Sequence, residues 1–189
     1  MRNPPAKGAG HSVIPAFLHG DCARGIDVNA SNSTQAMTPS VIYAHPSSPD
    51  PKSLAGLPRR SRLELGAYES APRTARGHIT RVLEEWSLPE FSDVTTLIAS
   101  ELITNSVLET AKYAWAVLPP VRLWLRGGPP GVAILVWDAV VAAPVPRTAG
   151  SGDENGRGLA IVADLSAACG YYHAAEPAGK VTWATITTP

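Results

Sequence analysis

The stretch of residues 91–108 carries two polar side chains whose types and spacing could serve chemistry. Glu101 and Asn105 are four residues apart, so a helix would place both on one face. A carboxylate can orient or deprotonate a nucleophile, and an amide oxygen can bind a hard cation. The alternative is a structural role. Burying a polar group without a hydrogen-bond partner costs roughly 2–7 kcal/mol, and the two side chains would avoid this cost by bonding only to neighbouring backbone.

Two further polar signals follow along the chain. Asp138 comes directly after an apolar run, where it could accept a hydrogen bond from an exocyclic amine such as that of adenine, or simply start a turn. Gly156-Arg157-Gly158 opens a predicted helix, so its backbone could approach phosphates, or it could be an ordinary glycine-rich loop. The sequence has neither a Walker A motif nor GxGxxG. Taken together, the order of the three signals indicates a nucleotide pocket.

The helix that would carry Glu101 and Asn105 has a predicted start and a predicted buried face. Ser92 is the predicted N-cap, and Asp93 suits the positive end of the helix dipole. The apolar residues that recur at helical spacing, and are therefore predicted to face the core, are Val94, Leu97, Ile98 and Leu102. Glu101 and Asn105 are predicted to share that face.

The rest of the chain shows alternating strand and helix patterns. These predict an edge strand at 62–66, a helix capped by Ser70, the helix of Glu101, a strand at 121–126, a central strand at 132–137, a long loop at 139–155, a helix from residue 156 and a closing hairpin at 171–186. Strands joined by short loops should pair antiparallel, with the helices gathered on one side. The predicted fold class is α+β: a two-layer sandwich of a mixed, mostly antiparallel sheet with three helices on one face.

Composition limits the domain and its partners. Residues 1–60 hold eight of the 18 prolines and no sustained periodicity, so they are predicted to be a disordered tail before a domain at 61–189. Sixteen basic residues balance 16 acidic ones, which argues against direct nucleic-acid binding. No apolar run approaches the roughly 20 residues of a membrane span. Cys22 and Cys169 are far apart and the five histidines show no ligand spacing, so we expect a cytoplasmic protein with free thiols.

These motifs resemble those of the histidine-kinase-like ATPase superfamily, which has the Bergerat fold. Glu101-Leu-Ile-Thr-Asn105-Ser resembles its N box, Val136-Trp-Asp138 the start of its G1 box, Gly156-Arg-Gly-Leu159 its G2 box, and Gly179-Lys-Val-Thr-Trp-Ala184 its final strand. The resemblance covers about residues 62–187. Within the superfamily, the chain is most similar to stand-alone domains of actinomycete type that are related to anti-sigma-factor serine kinases.

The resemblance implies roles for the matched residues. Asn105 would bind a Mg²⁺ ion that bridges the phosphates of ATP, and Glu101 would be the catalytic general base. The nucleotide itself would be bound by Asp138, which takes the adenine amine, and by Gly156, Arg157, Gly158 and Leu159. The loop at 139–155 would close over ATP. The implied partners are a sigma factor, an antagonist protein of an anti-sigma factor, or both, with a homodimer also allowed.

Two features of the sequence leave the activity open between hypotheses. Asp138 is followed by Ala-Val-Val-Ala-Ala-Pro, where the G1 box usually has glycines. Glu109, four residues after Asn105, would repel phosphates unless it points away or pairs with Lys112. The hypotheses are a serine/threonine protein kinase that uses ATP and Mg²⁺, a nucleotide-binding regulatory module without turnover, and an interaction domain that binds no nucleotide.

Asp138→Asn is expected to leave the fold intact, because a carboxylate at a strand end is not expected to be a core element.

Overall fold

The computed structural model describes residues 43–145 and 157–188. Within them, the helices and strands in chain order are α1 (Pro51–Ala55), β1 (Arg59–Gly66), α2 (Ala71–Glu85), a short 3₁₀ helix (Pro89–Phe91), α3 (Ser92–Thr110), β2 (Pro120–Gly128), β3 (Gly131–Asp138), α4 (Gly158–Leu165), β4 (Ala168–Ala174) and β5 (Gly179–Thr187). Each strand predicted from periodicity is present, and each is longer than predicted. Among these residues, no helix is long and apolar enough to cross a membrane.

The five strands form one sheet in the order β1-β2-β3-β5-β4, and all four neighbouring pairs are antiparallel. Among the described strands the sheet is therefore antiparallel throughout rather than mixed. β3 lies at its centre, as its apolar residues on both faces predict. Asp138 at the end of β3 stands opposite Lys180 at the start of β5. Since directly opposed residues point to the same face, these two side chains meet.

The two faces of the sheet carry different sets of buried side chains. The main core lies between the sheet and the helices, and β3 contributes Val132, Ile134 and Val136 to it. The alternate positions point the other way and form a second cluster, whose buried members are Trp137, Tyr172, Val181 and Trp183. Asp138 is two residues beyond Val136, so it points to the face that the helices cover.

Helix α3 is the central helix of the layer, because it contacts α2, α4 and β3. Contacts on three sides bury more than a single stripe: the buried residues are Thr95, Ile98, Ala99, Ser100, Leu102, Ile103, Ser106, Val107 and Thr110. Two predictions about this helix are wrong in detail. Leu97 is 43% exposed, because the buried face is centred on Ile98 and Leu102. The helix already begins at Ser92, so Phe91 holds the N-cap position and no side chain caps it.

Residues 43–58, which we call the N-terminal strap, pack against the sheet before β1 begins. Tyr43 is 2% exposed and Leu57 is 3% exposed. The Ser47 N–H donates to Tyr171 O on edge strand β4 at 2.6 Å, and Trp183 Nε1 donates to Ser47 O at 2.6 Å. Two buried anchors and two hydrogen bonds therefore fix the strap to the sheet.

The strap changes where the domain begins. The sequence predicts a boundary at Ser61, but this residue is the third of β1, and Tyr43 is already part of the packed structure. The prediction of a disordered segment over 1–60 is therefore wrong for residues 43–60. For residues 1–42, which lie outside the described part of the chain, it stays a prediction.

Candidate functional site

Glu101 and Asn105 lie one turn apart on α3, at the border of its buried face. Both residues are half-buried, and burial raises the pKa of the Glu101 carboxyl above its usual value. Asn105 Nδ2 is shielded from solvent and has no hydrogen-bond partner. Among the described residues, neither side chain hydrogen-bonds to backbone, so the alternative of two groups that only satisfy the backbone is not met. An unpartnered buried amide instead marks a place where a ligand could bind.

The start of α4 lies directly against this pair. A methyl group added at Gly158 would collide with Glu101 Oε2 and would lie 3.5 Å from Asn105 Nδ2. Glycine is therefore the residue that lets the helix start come this close to the carboxylate. The structure thus brings the second half of the predicted glycine motif together with the Glu101–Asn105 pair.

The other residues of the glycine motif have different environments. Leu159 is buried and belongs to the main core, so it anchors the first turn of α4. Arg157 holds the N-cap position, is exposed and makes no capping hydrogen bond with its side chain. Gly156 lies outside the described residues, so its predicted contact with nucleotide stays a prediction.

Asp138 is fully buried and already has partners. Its Oδ1 accepts hydrogen bonds from Lys180 Nζ at 2.7 Å and from the Val140 N–H at 3.0 Å, whereas Oδ2 accepts none. The bond to Val140 is the one by which aspartate starts a turn, so this alternative holds as well. Burial raises the pKa of Asp138 above its usual value, although the charge of Lys180 and the hydrogen bond from the Val140 N–H oppose the shift.

The burial of Asp138 corrects one expectation. A strand-end carboxylate was expected to lie outside the core, but Asp138 is 0% exposed and forms a buried ion pair with Lys180, which is 2% exposed. Removing one partner of such a pair leaves the other charge buried without compensation, which destabilises by about 3–5 kcal/mol. Asp138→Asn would therefore lower stability as well as alter any ligand contact.

A cavity joins the Asn105 side of the site to the Asp138 side. Its volume is about 20 Å³, which is room for a water molecule. The residues that line it are Leu102, Asn105, Ser106, Glu109, Asp138, Pro144, Val145, Leu159, Lys180 and Thr182. Pro144 and Val145 come from the predicted loop at 139–155, whose residues 146–155 lie outside the described part. A purine is much larger than one water, so it can enter only if a wall such as Pro144 and Val145 moves.

Glu109 lines the same cavity, and its negative charge is paired with the positive charge of Lys112. Its Oε1 accepts a hydrogen bond from Lys112 Nζ at 2.5 Å. Pairing with Lys112 was one of the two ways in which this carboxylate could be compatible with nearby phosphates. Glu109 therefore does not by itself argue against a bound nucleotide.

Three polar residues of the site had no role in the sequence analysis: Ser106, Lys180 and Thr182 line the cavity. The sequence does contain a signal for the burial of Lys180. Ala184 and Ile186 lie four and six residues after it on the same strand, so they share its face of the sheet, and both belong to the main core. A lysine on that face of a central strand must be buried, and a buried lysine needs a carboxylate partner. The strand register identifies this partner as Asp138.

A family model described as a histidine kinase-like ATPase domain matches residues 67–186. Comparison with curated proteins gives no match. The matched segment spans most of the chain, and the antiparallel α+β sandwich is the fold that this family has. The chain therefore belongs to the histidine kinase-like ATPase family. Membership implies that it binds ATP.

The residues at this end of the sheet fit a nucleotide with a divalent cation. Asn105 and Asp138 each present a buried polar atom without a partner, and Gly158 lets the start of α4 lie directly against Glu101 and Asn105. Within residues 43–145 and 157–188, no three or more His, Cys, Asp or Glu side chains are grouped to hold a metal. A Mg²⁺ ion here would therefore take one amide oxygen from the protein and its other ligands from phosphates and water, which suits its coordination habits.

Proposed function

We propose that this chain binds ATP together with Mg²⁺ and acts as a regulatory protein of the anti-sigma-factor kinase type. One observation carries the proposal. Three segments that are distant in sequence meet at one end of the sheet: the pair of Glu101 and Asn105 on α3, Gly158 at the start of α4, and Asp138 at the end of β3. Each provides the chemistry that one part of MgATP requires.

The binding roles follow from the atoms that each segment presents. Asp138 Oδ2 accepts a hydrogen bond from the exocyclic amine of adenine. The first N–H groups of α4 receive the phosphates, since a helix N-terminus favours anions. Asn105 Oδ1 offers a neutral oxygen to Mg²⁺, an ion that neutralises phosphate charge when it is bound.

Glu101 acts as the general base in phosphoryl transfer to a serine or threonine hydroxyl of a protein substrate. Its carboxylate takes the hydroxyl proton while the hydroxyl oxygen bonds to the γ-phosphorus. The bond from that phosphorus to the β–γ bridging oxygen breaks, and ADP leaves with the electron pair. The raised pKa of Glu101 supports this role, because a base is most effective when its pKa lies near the working pH.

The proposed partner is a sigma factor, or an antagonist protein that carries the acceptor serine. This part of the proposal rests on the resemblance of the N box, G1 box and G2 box to those of anti-sigma-factor serine kinases. It adds to ATP binding a regulatory output, in which the partner is held or released according to the nucleotide state.

The ion pair of Asp138 and Lys180 favours a second candidate: a nucleotide-binding regulatory module that does not transfer phosphate. The pair occupies one oxygen of the adenine-binding carboxylate, and the cavity beside it is small. Slow entry and slow release of nucleotide would suit a protein that responds to ATP by changing its binding partner.

Two substitutions on α3 test the proposed roles. Asn105→Ala should abolish Mg²⁺-dependent ATP binding, because the metal loses its one protein oxygen. Glu101→Gln should leave binding nearly intact and remove phosphoryl transfer, since a general base matters only in the transition state. Leu97→Ala, an exposed position on the same helix, is the matched control and should change neither. Calorimetry with MgATP measures the binding, and transfer of the γ-phosphate to a protein partner isolated with the chain measures the activity.

The outcomes separate the candidates. Wild-type protein that binds MgATP but never transfers phosphate to an isolated partner would support the module without turnover. If the wild type does not bind MgATP at millimolar concentration, ATP binding fails for both candidates. Equal loss of thermal stability in both variants, with MgATP affinity unchanged, would show that the pair is structural.

A further inference from the structure

Lys180 is the buried cation of the site, and one of its protons has no assigned acceptor. Its Nζ donates to Asp138 Oδ1 at 2.7 Å and to Val140 O at 3.1 Å. An ammonium group has three N–H donors, so one is left after these two bonds. Lys180 is 2% exposed and lines the cavity, so this third donor has little access to bulk solvent.

The neighbouring carboxylate of Asp138 likewise has a buried atom without a hydrogen-bond partner. Asp138 is 0% exposed, and its Oδ2 is shielded from solvent and without a hydrogen-bond partner. The two carboxylate oxygens share one carbon atom, so the ammonium that contacts Oδ1 is also close to Oδ2. The cavity is thus lined by one unfilled acceptor beside one unfilled donor, and both groups are charged.

We propose that Lys180 reads the base of the nucleotide, donating its third N–H to N1 of adenine while Asp138 Oδ2 accepts from the exocyclic amine. The inference rests on the proposed ATP binding and names the residue that selects the base. An acceptor next to a donor is the order by which thymine recognises the same edge of adenine. Both bonds are charge-assisted, which makes them stronger than bonds between neutral groups.

In this arrangement the Asp138–Lys180 ion pair contributes to nucleotide recognition as well as to the packing of the fold. A buried carboxylate without a counter-charge would take up a proton, and one oxygen would then become a donor. The charge of Lys180 opposes the rise in the pKa of Asp138 that burial causes, and it thereby favours the ionised carboxylate, in which Oδ2 is an acceptor for the amine. Lys180 is therefore both a contact to the base and the residue that maintains the second contact.

Nucleotide analogues test the contact on the unaltered protein. The probes are ATP, 1-deaza-ATP, in which C–H replaces N1, and 7-deaza-ATP, which keeps the whole edge that the pair would read. Calorimetry in the presence of Mg²⁺ should show that 1-deaza-ATP binds about tenfold to a hundredfold more weakly than ATP, the loss expected for one charge-assisted hydrogen bond. The control 7-deaza-ATP should bind close to ATP.

A variant completes the test. Lys180→Met removes the donor at similar length, so in this variant ATP and 1-deaza-ATP should bind equally, even if both bind more weakly than to the wild type. Equal affinity of the wild type for ATP and 1-deaza-ATP would overturn the inference and leave ATP binding standing. Tighter binding of GTP than of ATP would also overturn it, since the donor would then serve O6 of guanine. Absence of binding by all of these nucleotides would instead remove the proposed function, and this inference with it.

Discussion

At the scale of single residues, two glycines form a matched pair for testing the phosphate end of the site. Gly158→Ala places a methyl group against Glu101 Oε2, whereas a methyl group at Gly77 in α2 meets nothing within 4 Å. Gly158→Ala should therefore weaken MgATP binding by about tenfold or more, because the methyl group forces the start of α4 away from Glu101 and Asn105 and so disturbs the proposed phosphate site. Gly77→Ala should leave affinity unchanged and raise the free energy of unfolding by about 0.5–1 kcal/mol, since alanine favours a helix interior.

Calorimetry and denaturant unfolding of the two variants measure these effects. Unchanged MgATP affinity in Gly158→Ala would mean that the start of α4 does not face the phosphates. A loss of affinity in Gly77→Ala would point to a general effect on the helical layer instead of a local one.

The residues of the site were predictable to different extents. Glu101, Asn105 and Asp138 could be singled out as candidates because residue type, spacing and order along the chain are visible in the sequence. Lys180 could not be assigned in the same way, because its partner Asp138 is 42 residues away and only the register of β3 and β5 brings them together. The burial of Asp138 follows from this pairing, which is why a strand-end carboxylate was mistaken for a peripheral group.

At the scale of elements, periodicity predicted the strands and the two long helices because each of them has a buried face. It was less accurate where an element is buried on several sides. Helix α3 contacts α2, α4 and β3, so its buried residues exceed one stripe and Leu97 was placed on the wrong side. It failed for the strap at 43–58, which is held by two anchors and a few hydrogen bonds and therefore has no period.

The strap gives a prediction that the sequence alone would have reversed. A chain that begins at Ser61 loses Tyr43 and Leu57 from buried sites and leaves Trp183 Nε1 without its acceptor on Ser47. At about 1.5–3 kcal/mol for each fully buried side chain, its free energy of unfolding should fall by about 3–6 kcal/mol. A chain that begins at Ile42 keeps the whole strap and should match the full-length protein.

Urea unfolding followed by Trp fluorescence measures all three chains. If the two shortened chains are as stable as the full-length protein, the strap does not contribute to the free energy of unfolding, and the folded domain begins at Ser61 as the sequence predicts. If both lose stability, residues 1–41 contribute as well, and this part of the predicted tail of 1–60 is not dispensable.

At the scale of the whole molecule, the length of β3 separates the site from the C-terminal part of the strap, around Gly56. β3 runs from Gly131 to Asp138, so the site lies where this strand ends. The β2–β3 turn is at the other end, where Gly56 O of the strap lies against Gly128. Antiparallel pairing thus places Asp138 and the start of β5 at one end, where the cavity also joins them to the Asn105 side of α3, although they come from three parts of the chain.

This separation predicts a local response to nucleotide. Residues 139–145 should exchange their amide hydrogens more slowly when MgATP is bound, because Pro144 and Val145 must move to admit the base and then pack against it. Residues 51–58 of the strap should exchange equally with and without MgATP, since Gly56 and Leu57 lie against Gly128 at the other end of β3. Asn105→Ala supplies the control, as its exchange should not respond to MgATP in either segment. Slowing that is equal in both segments would show that nucleotide stabilises the whole domain uniformly, and no slowing at 139–145 in a protein that binds MgATP would show that these residues do not cover the base.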